Sequence, residues 1–199
     1  ESSSIFSRRR LTVTSTVPQV TNKAFTVTGT VSDEIEIGDT PVIVKESAEK
    51  TYTVTVTDGT GENTGKKVWS FTVNPSQSGG DNSAADGNHT FTIEATDKAG
   101  NKASQSIEVV TDVTAPTWVT TPKISSKSAY TQETREYYKS NLININVKAT
   151  DETSGVKEIV YKLDSAQNVS NGNANITLDG LSEGMHTVSI KAVDEAGNE

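Results

Sequence analysis

Five aspartates stand where a hard cation could be held: Asp33, Asp97, Asp112, Asp151 and Asp194. Calcium takes six to eight oxygens, mainly carboxylates and carbonyls, without strict geometry. Glu152 and Glu195 adjoin two of the five. A second chemistry fits the same residues. Asp97 and Asp194 each open a run Asp-x-Ala-Gly-Asn, at 97–101 and 194–198. An aspartate there can bond its own turn backbone. Gly100 and Gly197 would then supply the positive φ. The sequence leaves both readings open.

Other chemistry is scarce. There is no cysteine, hence no disulfide and no thiolate metal site. The two histidines, His89 and His186, occupy equivalent places in two repeated segments, so they are not expected to share a metal. Each is expected to satisfy a backbone group where a strand begins. No Gly-x-Ser-x-Gly, P-loop or His-Glu-x-x-His pattern occurs, and no carboxylate pair is placed as acid and base. Enzymatic activity is not expected. Tyr130, Tyr137 and Tyr138 with Arg135 form an aromatic and basic cluster that could anchor a ligand or pack on a sandwich edge. Arg8, Arg9 and Arg10 read as a solvated run, and Trp118 as a residue of the domain boundary. The formal charge of −8 argues against nucleic acid as a partner. No apolar run reaches the roughly 18 residues of a membrane helix.

Elements must position these groups, and a repeat shows which. His89–Asn101 and His186–Asn198 are identical at eight of thirteen positions, 97 residues apart. Phe25–Asp33 and Ile143–Asp151 match more weakly, 118 residues apart. The chain therefore reads as two tandem copies, the first about 21 residues longer. Its boundaries are set at 1–19 for a linker or first-strand region, 20–113 for the first domain and 114–199 for the second.

Apolar residues alternate in the matched segments. Phe25, Val27 and Val31 share a face, as do Ile143, Ile145, Val147 and Ala149. Phe91, Ile93 and Ala95 repeat as Val188, Ile190 and Ala192. A period of two marks a strand with one buried side. Further strands are predicted at 41–45, 51–57, 67–73, 104–111, 156–163 and 173–178, with Trp69, Phe71 and Val73 anchoring the first core. Residues 131–138 could form one helical turn. The segment 77–88 has no large apolar residue, so it is expected to be a mobile loop holding much of the extra length. Only 32% of residues are hydrophobic, while threonine makes up about 15%, which suits strands with one wet face. The fold class is all-β: two immunoglobulin-like Greek-key sandwiches, the second lacking its last strand.

The run Ala-x-Asp-x-Ala-Gly-Asn near a domain's end, then a strand, then Asp112-Val-Thr-Ala-Pro116, resembles the bacterial immunoglobulin-like (BIg) repeats of large surface adhesins. The motif occurs twice and the linker once. The first junction departs from the pattern, with Thr16-Val17-Pro18 where Asp-x-x-Ala-Pro is expected. The second copy stops just after its Ala-Gly-Asn turn, so the natural chain is expected to continue. The resemblance implies an extracellular or cell-surface stalk module in cell adhesion, with calcium at domain junctions.

In such a sandwich the loops after the second and sixth strands lie at the end where the chain enters. For the second copy this places Asp112, Asp151 and Asp194 together. For the first it places Asp33 with Asp97, but without a linker aspartate. The resulting expectation is a non-catalytic spacer, its stiffness set by calcium at the junction and its partners the neighbouring domains. Two alternatives stay open. One is a module that binds a host glycan or protein directly through Tyr130, Arg135, Tyr137 and Tyr138. The other is an accessory segment of a secreted carbohydrate-active enzyme.

Overall fold

The computed structural model describes residues 10–32 and 37–199, and the side chains of 37–41 are left aside. The chain divides into two compact units, Glu1–Val113 and Thr114–Glu199. Both are built from strands.

The first unit contains β1 (Arg10–Val13), β2 (Val20–Thr21), β3 (Phe25–Ser32), β4 (Ile37–Lys45) and β5 (Thr51–Tyr52). It continues with β6 (Thr55–Asp58), β7 (Lys67–Pro75), β8 (Ser83–Ala84), β9 (Gly87–Asp97) and β10 (Lys102–Thr111). One sheet runs β1-β3-β7-β6, with β8 on β7, and the other runs β2-β10-β9-β4-β5. This is the strand order of the immunoglobulin fold: first, second, fifth and fourth strands in one sheet, third, sixth and seventh in the other. β2 continues from β1 but crosses to the second sheet, where it pairs in parallel with β10.

The alternation seen in the sequence decides the faces. Val27 and Val31 of β3, Trp69, Phe71 and Val73 of β7, and Phe91, Ile93 and Ala95 of β9 are all buried in one core. Aromatic rings pack against one another inside this core. Phe71 lies 5.9 Å from Phe91, and Tyr52 meets Phe91 edge-on at 5.1 Å. Threonines line the wet face as cross-strand pairs. The hydroxyls of Thr12 and Thr30 are 2.8 Å apart, and so are those of Thr26 and Thr72.

The second unit contains β11 (Thr117–Ile124), β12 (Tyr130–Gln132), β13 (Arg135–Tyr137) and β14 (Ile143–Thr150). After these come β15 (Val156–Leu163), β16 (Val169–Ser170), β17 (Ile176–Leu178) and β18 (Val188–Asp194). Its sheets are β11-β14-β17 and β16-β15-β18, with β12-β13 a separate hairpin. Among the described residues β18 pairs with β15 alone, with no counterpart of β10 beside it. The core is aliphatic, with Ile143, Ile145, Val147, Ile159, Ile176 and Leu178 buried.

Register locates the first unit's extra residues. The repeat offset is 118 where Phe25 matches Ile143. It is 117 where Val42 and Ile159 each pair with the repeated alanine, Ala95 and Ala192. It falls to 105 where Val73 and Leu178 face Phe25 and Ile143, and to 97 at β9 and β18. Twelve extra residues therefore lie between β4 and β7, and only eight between β7 and β9. The expectation that residues 77–88 hold much of the insertion is narrowed to eight of about 21 extra residues, fewer than lie between β4 and β7. Their expected mobility is corrected. Ser83 and Ala84 are buried, the Asn82 side chain accepts the N–H of Thr53 at 2.6 Å, and Asp86 Oδ1 accepts that of Val113 at 2.8 Å. A polar segment can be pinned by hydrogen bonds where apolar anchors are few.

Three other elements differ from the sequence reading. Residues 51–57 form two strands, because β5 pairs with β4 and β6 with β7, in opposite sheets. Residues 131–138 form no helical turn but most of the β12-β13 hairpin, closed by Glu133 at φ +55°. The predicted strand 173–178 shortens to Ile176–Leu178. Ahead of it, Asn173 and Asn175 replace the ladder with side chains. Asn175 Oδ1 accepts the N–H of Val147 at 3.0 Å and Asn173 Oδ1 that of Ala149 at 3.1 Å. The Asn173 amide returns a bond to the Ala149 carbonyl at 2.9 Å. Alternation cannot distinguish an asparagine in the ladder from one that mimics it.

Candidate functional site

β18 ends at Asp194, and the next four residues fold back under its carboxylate. Asp194 Oδ1 accepts the N–H of Gly197 at 2.6 Å and of Asn198 at 2.8 Å. Oδ2 accepts the Asn198 side-chain amide at 2.7 Å. Gly197 stands at φ +93°, which glycine alone adopts without strain. The first unit repeats the device. Asp97 Oδ1 accepts the N–H of Asn101 at 2.8 Å, Oδ2 accepts its side chain at 2.7 Å, and Gly100 stands at φ +88°. The turn-capping role read from Asp-x-Ala-Gly-Asn is therefore present in both copies. The sequence reading missed the asparagine amide as second partner, although the asparagine was identical in both copies.

Asp151 follows β14 and caps a different loop. Its Oδ1 accepts the N–H groups of Thr153, Ser154 and Gly155 at 3.1, 2.9 and 2.9 Å. Glu195 N–H donates to the Gly155 carbonyl at 3.0 Å, which ties this loop to the β18 turn. The two loops thus bring Asp151 and Asp194 together, with a carboxylate oxygen of each within 4.8 Å of the other. Asp194 is fully buried and Asp151 half-buried. Two carboxylates so close repel strongly, more so away from water. They offer hard oxygens of the kind calcium prefers.

Asp112 belongs to the end of the first unit. It is buried, and its N–H donates to the Thr21 carbonyl at 3.1 Å. Five residues later Thr117 pairs with Thr150, the neighbour of Asp151. Asp33 lies outside the described residues, so the expected Asp33–Asp97 pairing has no geometry to report.

The histidines sit in matching small networks. His89 Nδ1 faces Glu46 Oε1 at 2.6 Å and its Nε2 faces the Ala85 carbonyl at 2.7 Å. His186 Nδ1 faces Asp164 Oδ2 at 2.8 Å and its Nε2 the Ser182 carbonyl at 2.9 Å. The expected backbone partner is present in both, and the carboxylate partner was not foreseen. Burial opposes ionisation of Glu46, but hydrogen bonds from Lys50, Tyr52 and His89 outweigh it and hold its pKa down to about 2. The Tyr52 hydroxyl is pushed up by burial and by its bond to Glu46. The Asp164 carboxyl is lowered by hydrogen bonds from His186 and the Thr187 N–H, and His186 is raised by Asp164 and the Ser182 carbonyl.

The tyrosine cluster divides. Tyr130, Arg135 and Tyr137 are exposed on the β12-β13 hairpin. Tyr138 instead packs against the second core, and its hydroxyl donates to Glu136 at 2.5 Å. Burial and that bond push its pKa up to about 12. Arg8 and Arg9 lie outside the described residues, while Arg10 is exposed at the start of β1. Among the described residues no helix is long and apolar enough to cross a membrane.

Three solved structures overlap the chain weakly. The D00-D0 domain of intimin is 15% identical, with 96% of this chain and 95% of that one covered and a TM-score of 0.38. Dimeric latent PorU from Porphyromonas gingivalis is 12% identical at a TM-score of 0.38, and only 17% of that chain is covered. The ectodomain of mouse nectin-like molecule 4 is 11% identical at 0.41, with 60% of it covered. Strand order within each unit, rather than these overlaps, assigns the fold. The domains are immunoglobulin-like. No family model matches the sequence, and no curated protein does.

Proposed function

We propose that the chain is a non-catalytic spacer segment of a bacterial surface or secreted adhesin, stiffened by calcium held between Asp112, Asp151 and Asp194. The observation that carries this reading is the Asp151–Asp194 pair. Each carboxylate has its Oδ1 fixed by backbone N–H groups, which holds the two side chains in place. Asp112 enters as the third ligand from the sequence reading: it lies five residues ahead of Thr117, which pairs with Thr150 beside Asp151. Bound calcium would offset the repulsion among the carboxylates and tie the connecting segment to two loops of the second domain. Backbone carbonyls would complete the six to eight oxygens.

The lengths of the elements support the mechanical role. β9 and β10 have 11 and 10 residues, so at ~3.3 Å each a domain contributes about 30 Å of reach. The resemblance of the Asp-x-Ala-Gly-Asn turns and the Asp112–Pro116 linker to BIg repeats supports an extracellular setting. Millimolar calcium there matches the ~0.1–1 mM affinity of extracellular modules. Small-angle scattering in calcium and in chelator tests the spacer. The reading requires a narrower distribution of maximum dimension with calcium, and identical distributions contradict it.

A further inference from the structure

Among the described residues the β12-β13 hairpin pairs with no other strand, and all six of its strand residues are exposed. Opposite positions across it are Tyr130 with Tyr137, Thr131 with Glu136, and Gln132 with Arg135. Alternation puts Tyr130, Tyr137, Gln132 and Arg135 on one face. The two rings lie 5.7 Å apart at 42°, and they remain 60% and 45% exposed. A tyrosine presents roughly 200 Å², so about 210 Å² of aromatic residue faces water here.

We propose that this face binds a neutral pyranose of a glycan. Area favours a small ligand over a protein partner: a stable protein interface buries about 800 Å² on each side, several times the exposed area of the two tyrosines. It suits one or two sugar rings, whose C–H faces stack on aromatic rings while their hydroxyls need donors and acceptors. Gln132 and Arg135 supply those at the edge of the same face. Charge decides against an acidic sugar. Within the hairpin, Glu133 closes the turn and Glu136 occupies the other face, so two carboxylates stand against the guanidinium of Arg135, and the flanking Lys127 and Lys139 lie outside its strands. The site does not depend on the calcium reading, because it uses neither aspartate loop.

Backbone-amide NMR of the 199-residue chain tests it, titrating methyl glucoside, galactoside and mannoside and their short neutral oligomers. The expected result is shifts confined to residues 130–137 with at least one sugar. Tyr130→Ala or Tyr137→Ala should weaken that binding about tenfold. Tyr130→Phe and Thr131→Ala should leave it nearly unchanged, and the dispersion of each spectrum shows that the variant is folded. Absence of shifts with every sugar overturns the proposal. So do shifts that map elsewhere, or a tighter response to glucuronate than to the neutral sugars.

Discussion

At the scale of single residues, most of the chemistry in this chain is spent on holding loops. The Asp164–His186 pair gives the clearest pH signature. His186 is raised, so its contribution is complete below its ordinary value near 6.5 and is lost as pH rises through the folded value. Asp164 is lowered, so its contribution is complete above about 3.8 and is lost as pH falls through the folded value. The pair should therefore support the 182–187 loop best between about pH 4 and 6.5. NMR titration of the His186 ring should show a midpoint above 6.5, falling in Asp164→Asn while the Ser182 carbonyl remains. An unchanged midpoint in that variant would remove the pair from the account. Asn173 gives a second test. Asn173→Ala leaves the Ala149 N–H and carbonyl without their partner and should cost about 1–3 kcal/mol by denaturant unfolding. None of these partners was legible in the sequence, because a hydrogen-bonded side chain leaves no period. The turn aspartates were legible, since a carboxylate two residues ahead of Ala-Gly-Asn has few other uses.

At the scale of elements, close packing makes the sharpest demand. Gly29 of β3 lies opposite Trp69 of β7. A Cβ at Gly29 would stand 2.0 Å from the Thr12 carbonyl oxygen and 2.1 Å from the Trp69 ring, so β1 or the indole must move. Gly29→Ala should destabilise the first domain by about 2 kcal/mol or more, measured by chemical denaturation followed by tryptophan fluorescence. A loss under about 0.5 kcal/mol would mean that the sheet yields there. Strands with one wet face were legible, because Val27, Val31, Phe91 and Ile93 alternate with polar residues. β11 was not: most of its residues are exposed, so burial imposes no period on it. The β12-β13 hairpin escaped for the same reason. The division of 51–57 between two sheets escaped because alternation marks a face but does not say which sheet receives it.

At the scale of the whole molecule, two immunoglobulin-like domains follow one another, and the repeat that revealed them also marks their loops. The strand order confirms the fold expected from the alternating pattern, and among the described residues β18 pairs with β15 alone. Whether the aspartates act as more than turn caps is the central claim. Asp151→Asn is the right probe, because an asparagine oxygen can still accept the N–H groups of Thr153, Ser154 and Gly155 while the charge is lost. Calorimetric titration of the chain with calcium measures it directly. The account predicts a saturable heat at about one ion per chain, with a dissociation constant of ~1 mM or below, abolished or weakened at least tenfold in Asp151→Asn. No heat at millimolar calcium, or equal heat in the variant, would contradict it.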